Sequence, residues 1–297
     1  MLQRKALSAN QLTERTYWDS VHRDSDNHSA EVGAAHLNAQ AGGRLKSRLK
    51  RVLGPAFMKA IGNYDDHLLW NVILPQFLRN RAGQSVVEIG SAPGEFLVAL
   101  HRRFGLVPYG IEYSPAGADL NRRAFATSGL DPGHIIEADF LAPETHMAYR
   151  EFFDIVVSRG FIEHFTDPTD VIVKHLNMLK PGGLLIVGIP NLHGLNYLLS
   201  WIFDRQVVAM HNLSIMTREH FTALFPGDLV TLLFCNYYGT FNFRLINAKP
   251  TSSLRSVLAL CWKVQPALNL TFHGLFGRRG AESRWSSPNL LFVGVKR

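Results

Sequence analysis

The densest group of residues able to do chemistry is the run Val86-Val87-Glu88-Ile89-Gly90-Ser91-Ala92-Pro93-Gly94-Glu95-Phe96. A short apolar stretch ends in a carboxylate and a glycine turn, and a helix is expected to open behind it. Glycines at such a turn let a ligand approach the main chain, and the start of a helix offers unpaired N–H groups. A dinucleotide-binding fingerprint laid from Gly90 places Gly90, Ala92 and Glu95 on its glycine positions, so the third fails. No Gly-Lys-Ser/Thr follows, which excludes a P-loop. The pattern that fits is an acidic residue, Glu88, then Gly90, a small residue at Ala92, and Gly94, with Ser91 inside the turn. Further polar residues end later apolar runs: Glu112, Asp139 and the pair Glu163-His164, while His211 stands in Met210-His211-Asn212-Leu213. An imidazole, with an ordinary pKa of about 6.5, suits proton transfer near neutral pH.

These residues sit at the junctions of an alternating pattern. Strands are expected at Ser85–Ile89, Val107–Ile111, Ile135–Ala138, Phe153–Val157 and Leu184–Ile189, the last announced by Lys180-Pro181-Gly182-Gly183. Helices are expected at Gly94–Phe104, Ala116–Thr127 and Asp170–Leu179. Short β-branched runs alternating with helices imply βαβ units and a parallel sheet buried on both faces. After residue 190 the alternation loosens. A helix is expected over Gly194–Met210 and a shorter one over Thr217–Phe225 with Thr217 as its cap. Strands at Leu229–Tyr237 and Leu290–Lys296 should close one sheet edge as an antiparallel pair. Upstream, Tyr64–Phe77 reads as a helix kinked or ended by Pro75, and Gly43–Leu53 as a short basic amphipathic helix.

In this order and spacing the motifs resemble the class I S-adenosylmethionine-dependent methyltransferases of the small-molecule type, over about residues 64–237 and the last strand at 290–296. The resemblance implies an α/β fold: a Rossmann-like, doubly wound, seven-stranded, mostly parallel sheet. Residues 1–80 would form an N-terminal helical cap or lid. Residues 81–297 would form the cofactor-binding domain, with substrate-side insertions at 191–227 and 239–287. It implies S-adenosylmethionine as cofactor, with the Glu88–Gly94 loop, Ser91 and Ala92 included, passing under its methionine and ribose parts. Glu112 stands 22 positions after Gly90, close to the roughly 20 typical of a ribose-binding acid, and would hold the ribose hydroxyls with Tyr113 beside it. Asp139 would lie near the adenine amine, with Phe140 on the ring. Ser158, Arg159 and Gly160, at the end of the fourth strand, complete the expected cofactor side. Methyl transfer from a sulfonium is an in-line displacement for which the protein supplies alignment and dryness. A hydroxyl acceptor must also lose a proton, so His164 is read as a candidate general base, against packing as its plain alternative, and His211 as a second acceptor-side candidate. Glu88 has an alternative of its own, pairing within the turn.

The chain carries 31 Lys and Arg against 24 Asp and Glu, a formal charge of +7, which permits an anionic partner without requiring one. The reaction implied is methylation of a small-molecule acceptor, most naturally an oxygen of a glycan, quinone or secondary-metabolite intermediate. An RNA methyltransferase is a weaker reading. The basic cluster Arg44–Arg51 favours it, but no basic stretch interleaves aromatics as a nucleic-acid groove does. Some RNA 3′-end methyltransferases bind a metal through Glu-x-x-Glu-His, and here Gly160 stands at the first Glu, so no metal site is expected. Residues 251–279, rich in Leu with Val257, Trp262 and Phe272 and ending at Arg278 and Arg279, suggest peripheral contact with a membrane or a lipid-linked substrate. A non-catalytic S-adenosylmethionine-binding protein is a further alternative. With 46% apolar and 19% charged residues the chain is not of the disordered class. Two cysteines cannot build a disulfide framework, and neither a signal peptide nor a membrane span is apparent, so a cytoplasmic setting is expected. The sequence assigns neither acceptor identity nor oligomeric state.

Overall fold

The computed structural model describes residues 10–23, 62–243, 246 and 254–297. The basic stretch 43–53 lies outside them. Seven strands form one sheet in the order β3-β2-β1-β4-β5-β7-β6. They are β1 (Ser85–Ile89), β2 (Val107–Glu112), β3 (Ile135–Glu137), β4 (Phe153–Arg159), β5 (Leu179–Pro190), β6 (Val230–Tyr238) and β7 (Asn289–Lys296). β1 pairs in parallel with both β2 and β4, Val87 facing Tyr109 on one side and Val156 on the other. The chain therefore winds outward in both directions from β1, and the crevice beyond the carboxyl ends of β1 and β4 is where such sheets bind ligands. β7 inserts antiparallel between β5 and β6, which is the edge pair expected from the C-terminal pattern.

Alternate residues of the central strands feed two apolar layers. Val87, Ile89, Val156, Leu185 and Val187 join one, and Val86, Ile155, Val157, Leu184 and Ile186 the other. That two-sided burial is why these strands read as unbroken apolar runs.

Four expectations need correction. The helix expected over Gly194–Met210 is two, Gly194–Phe203 and Arg205–Ala209, because Asp204 leaves the helix and its carboxylate caps the Gln206 N–H. The helix expected to be kinked or ended by Pro75 is not ended there: it continues to Leu78, with a π segment, Leu69–Ile73, just before the proline. Pro75 sits in the first turn after that segment, where its missing N–H is tolerated. Residues 239–287, expected only as a substrate-side insertion, contain a 22-residue helix, Arg255–Phe276, with Pro266 inside it. The 64–78 helix does not cover the crevice: Tyr64 Oη donates to the Gly277 carbonyl at 2.9 Å, and Trp70 packs on Phe96 at 4.9 Å.

The segment over the crevice is 10–23, helical from residue 15. The N–H of Leu12 donates to the His164 carbonyl at 2.8 Å and that of Thr166 to the Asn10 carbonyl at 2.9 Å. Ser114 Oγ donates to Asp19 at 2.5 Å.

Asp65 fastens the 64–78 helix to the chain after β6. Its buried carboxylate accepts the Thr240 N–H at 2.9 Å and Asn242 Nδ2 at 3.0 Å. Burial pushes its pKa up to about 7, and those two hydrogen bonds oppose the rise. A folded value above the unfolded one of about 3.9 means a contribution to stability that is complete in acid and lost as pH rises through the folded value. Between pH 5 and 8 the wild-type melting temperature should therefore fall more steeply than that of Asp65→Asn, by several degrees, since about 1 kcal/mol moves Tm by roughly 2–4 °C in a chain this large. Parallel curves in thermal melts would contradict the assignment.

Candidate active site

The turn after β1 is held by two glycines and a buried amide. Gly90 has φ +69° and its N–H donates to the Ile111 carbonyl at 2.9 Å. Gly94 has φ +92°, and a Cβ there would lie 2.1 Å from Asn121 Oδ1. Asn121 is fully buried and donates to Ser91 Oγ. Both glycines are thus required by left-handed backbone and close approach.

Glu112 closes the turn from the β2 side. Only 3% exposed, it accepts the Ser114 N–H on one carboxylate oxygen at 2.9 Å and the Ala92 N–H on the other at 3.2 Å. Burial raises its pKa, and hydrogen bonds from Ser114, Ala92 and Tyr113 oppose the rise. A carboxylate has about four lone-pair sites, so each oxygen keeps capacity for a hydroxyl.

Glu88 and Arg159 satisfy each other. Arg159 Nε donates to Glu88 Oε1 at 3.0 Å, and the guanidinium lies 3.6 Å from the Phe96 ring centre. Burial pushes Glu88 up and Arg159 draws it back.

The cleft is walled by Gly90, Ala92, Glu112, Tyr113, Asp139, Phe140, Arg159, Gly160 and His164 among the residues singled out by sequence. Glu88, Ser91, Gly94, Ser158 and His211 are outside that lining. Ser91 and Gly94 shape the turn from behind, Glu88 anchors Arg159, and Ser158 is buried with its hydroxyl unpartnered among the described residues. The wall also holds Gln11, Thr13, Trp18 and His22 from the N-terminal segment, and Ile111, Ala138, Leu141, Phe161 and Phe165. Asp139 accepts the Leu141 N–H at 2.8 Å. Phe140 meets Phe161 edge-on at 5.6 Å, and with Ile111 and Leu141 it offers a flat ligand group an apolar surface. Leu199 and Phe203 of the 194–203 helix, with Phe241 and Phe243, pack with Leu258 in a separate apolar cluster.

In the cleft wall His164 is 7% exposed, its ring 5.1 Å from Trp18 and 4.6 Å from His211. Its Nδ1 lies 2.9 Å from the Met210 carbonyl. A carbonyl only accepts, so Nδ1 carries the hydrogen and Nε2 the lone pair. His211 repeats the arrangement with the Val207 carbonyl. Burial, then the neighbouring His211, hold His164 down to about 4, and burial lowers His211; both rings are neutral at pH 7. Glu163 is 1% exposed, and desolvation pushes it up to about 8. One ligand atom from each of Glu163, His164 and His211 falls within 4.8 Å of the others. The replacement of the first Glu by Gly160 had argued against any such group.

The family model described as a methyltransferase domain matches residues 63–228, more than half the chain. The chain belongs to the S-adenosylmethionine-dependent methyltransferases. Among curated relatives, the ubiquinone biosynthesis O-methyltransferase of Shewanella sp. is 24% identical over 51% of this chain and 61% of its own length. That of Pseudomonas entomophila is 31% identical over 43% of this chain and 54% of its own. The chain thus spans between about half and three fifths of these relatives. The solved structure of Haemonchus contortus phosphoethanolamine N-methyltransferase 2 with S-adenosyl-L-methionine superposes with a TM-score of 0.50 at 19% identity, covering 78% of this chain and 56% of that one, a likeness of fold. S-adenosylmethionine is the cofactor of the methyltransferase family, and the cleft's residues fit it. Glu112 retains lone pairs for a vicinal diol, Phe140 offers a ring face, and Gly90 brings the main chain to the surface.

Gly94→Ala should cost about 1–3 kcal/mol, from left-handed strain and displacement of Asn121, and weaken cofactor binding by disturbing Ala92. Thermal melts with and without S-adenosylhomocysteine would register both; an unchanged Tm would contradict the role of Asn121 in fixing the turn.

Proposed function

We propose that this methyltransferase moves a methyl group to a hydroxyl oxygen of a small acceptor bearing an apolar part, of the quinone, glycan or secondary-metabolite kind. The observation that carries the reading is His164 at the cleft wall, neutral, with Nδ1 committed to Met210 and Nε2 carrying a lone pair. The bound cofactor supplies an electrophilic methyl on sulfur. Glu112 and Asp139 orient it, and Trp18 and the 10–23 segment exclude water from the transfer. His164 promotes loss of the acceptor proton as the oxygen attacks. The curated relatives named for O-methylation in ubiquinone biosynthesis support the choice of oxygen and of a quinone-like ring.

The reading includes a cytoplasmic setting and peripheral contact with a lipid surface. Leu198, Trp201 and Ile202 of the 194–203 helix are 50%, 44% and 42% exposed. On the Arg255–Phe276 helix Leu260 and Leu275 are 63% and 72% exposed. Arg278 and Arg279 follow that helix, a basic rim suited to anionic headgroups. Among the described residues no helix is long and apolar enough to cross a membrane.

Incubation with cofactor and a panel of phenolic and polyhydroxylated acceptors should yield O-methylated product by mass spectrometry. His164→Ala should lower turnover by about 10²-fold or more while retaining S-adenosylhomocysteine affinity. Full activity of that variant would overturn the acceptor-side role of His164, and exclusive N- or C-methylation would overturn the choice of oxygen.

A further inference from the structure

We infer that Glu163, His164 and His211 form a binding site for a divalent transition-metal cation at the acceptor end of the cleft. Its use in catalysis rests on the O-methylation reading; its binding does not.

The donors are already oriented as a cation needs them. Both imidazoles give their Nδ1 hydrogen to a main-chain carbonyl, His164 to Met210 and His211 to Val207. That bond fixes the tautomer and leaves Nε2 as the free lone pair, the outer-shell arrangement usual around metal-binding histidines. The two segments are laced together: the Asn212 N–H donates to the Glu163 carbonyl at 2.7 Å, and Asn212 Nδ2 to the Phe165 carbonyl at 2.9 Å. His211 is therefore anchored beside Glu163 by its own chain neighbour.

The independent observation is the carboxylate. Glu163 Oε2 is buried and has no hydrogen-bond partner among the described residues. Its other oxygen lies 3.9 Å from His164 Nε2, beyond hydrogen-bond range, and the main chain at Phe161 and Glu163 serves the carboxyl instead. A buried carboxyl oxygen is ordinarily hydrogen-bonded, paired or bound to a metal; Glu88 has Arg159, and Oε2 of Glu163 has none of these among the described residues. A positive ion between the three donors completes the site.

The three ligand atoms lie within 4.8 Å of one another. Around a shared cation with bonds of about 2.1 Å they would stand roughly 3.4 Å apart, so the site closes by little more than 1 Å per pair, within reach of side-chain torsions. Two imidazoles and one carboxylate favour manganese, iron or zinc over the all-oxygen preferences of magnesium and calcium. Three protein donors leave positions open, and His164 belongs both to this group and to the cleft wall, so an acceptor hydroxyl can reach the ion. The ion makes that hydroxyl more acidic and its proton passes to water. The oxygen then bonds to the methyl carbon as the carbon–sulfur bond breaks, with the electron pair staying on sulfur. His164 thus acts on the acceptor through the ion rather than by taking the proton itself.

Chelator-treated full-length protein should be titrated with Mn2+, followed by loss of the free-ion paramagnetic signal, and with Zn2+ in competition with a chromophoric chelator, both without acceptor. One ion per chain is expected. Glu163→Gln and His211→Asn should each weaken binding at least tenfold while S-adenosylhomocysteine affinity stays within twofold, since neither side chain lines the cofactor cleft. No binding by wild type, or equal binding by the variants, would overturn the site. If the variants lose cofactor binding, X-ray absorption of Zn2+-loaded wild type decides: imidazole scattering from two ligands supports the site and its absence overturns it. Binding as described without O-methylation of any acceptor would instead overturn the functional reading and leave the site standing.

Discussion

A buried carboxylate is costly unless something answers its charge, and this fold buries three around one crevice. Glu88, Glu112 and Glu163 are 2%, 3% and 1% exposed. Each is answered differently. Glu88 holds Arg159. Glu112 is held by main-chain N–H groups on two sides of the cleft. Glu163 keeps its proton at neutral pH, since desolvation pushes it up to about 8. Because Glu112 accepts from Ala92, it joins the Gly90–Ile111 hydrogen bond in tying the end of β2 to the turn leaving β1.

The rest of the crevice is built against that junction. Gly94 and Asn121 keep the turn tight enough for Ala92 to reach Glu112. Ser114, whose N–H Glu112 accepts, caps the 115–127 helix through its own hydroxyl and donates to Asp19 of the N-terminal segment. The same carboxylate is thus two steps from the segment that brings Trp18 over His164. Cofactor floor and water-excluding wall are mechanically linked, which is what an in-line transfer needs of its protein.

What could be read from the sequence was what is local in the chain. The apolar strands, the Gly90–Gly94 turn and the spacing from Gly90 to Glu112 are set by residues within one βαβ unit, so pattern and count found them. Thr217 was legible as a cap because capping is a contact three residues long. Contacts between distant parts of the chain were not legible. The N-terminal wall depends on Asn10 meeting Thr166 and Asp167, more than 150 positions away. The pairing of Glu88 with Arg159 spans 71 positions. Nothing local to Glu163-His164 marks Glu163 as buried, and the Met210–Asn212 segment that meets it, Asn212 N–H donating to its carbonyl, lies far along the chain. The Arg255–Phe276 helix escaped notice because Pro266 and an apolar stretch without clear period conceal it.

Calorimetric titration with S-adenosylhomocysteine, wild type beside Glu112→Ala, tests the central place of that carboxylate most directly. The account predicts tight binding by the wild type, and a loss of at least tenfold in a variant that still folds. Equal affinities in the two proteins would contradict it.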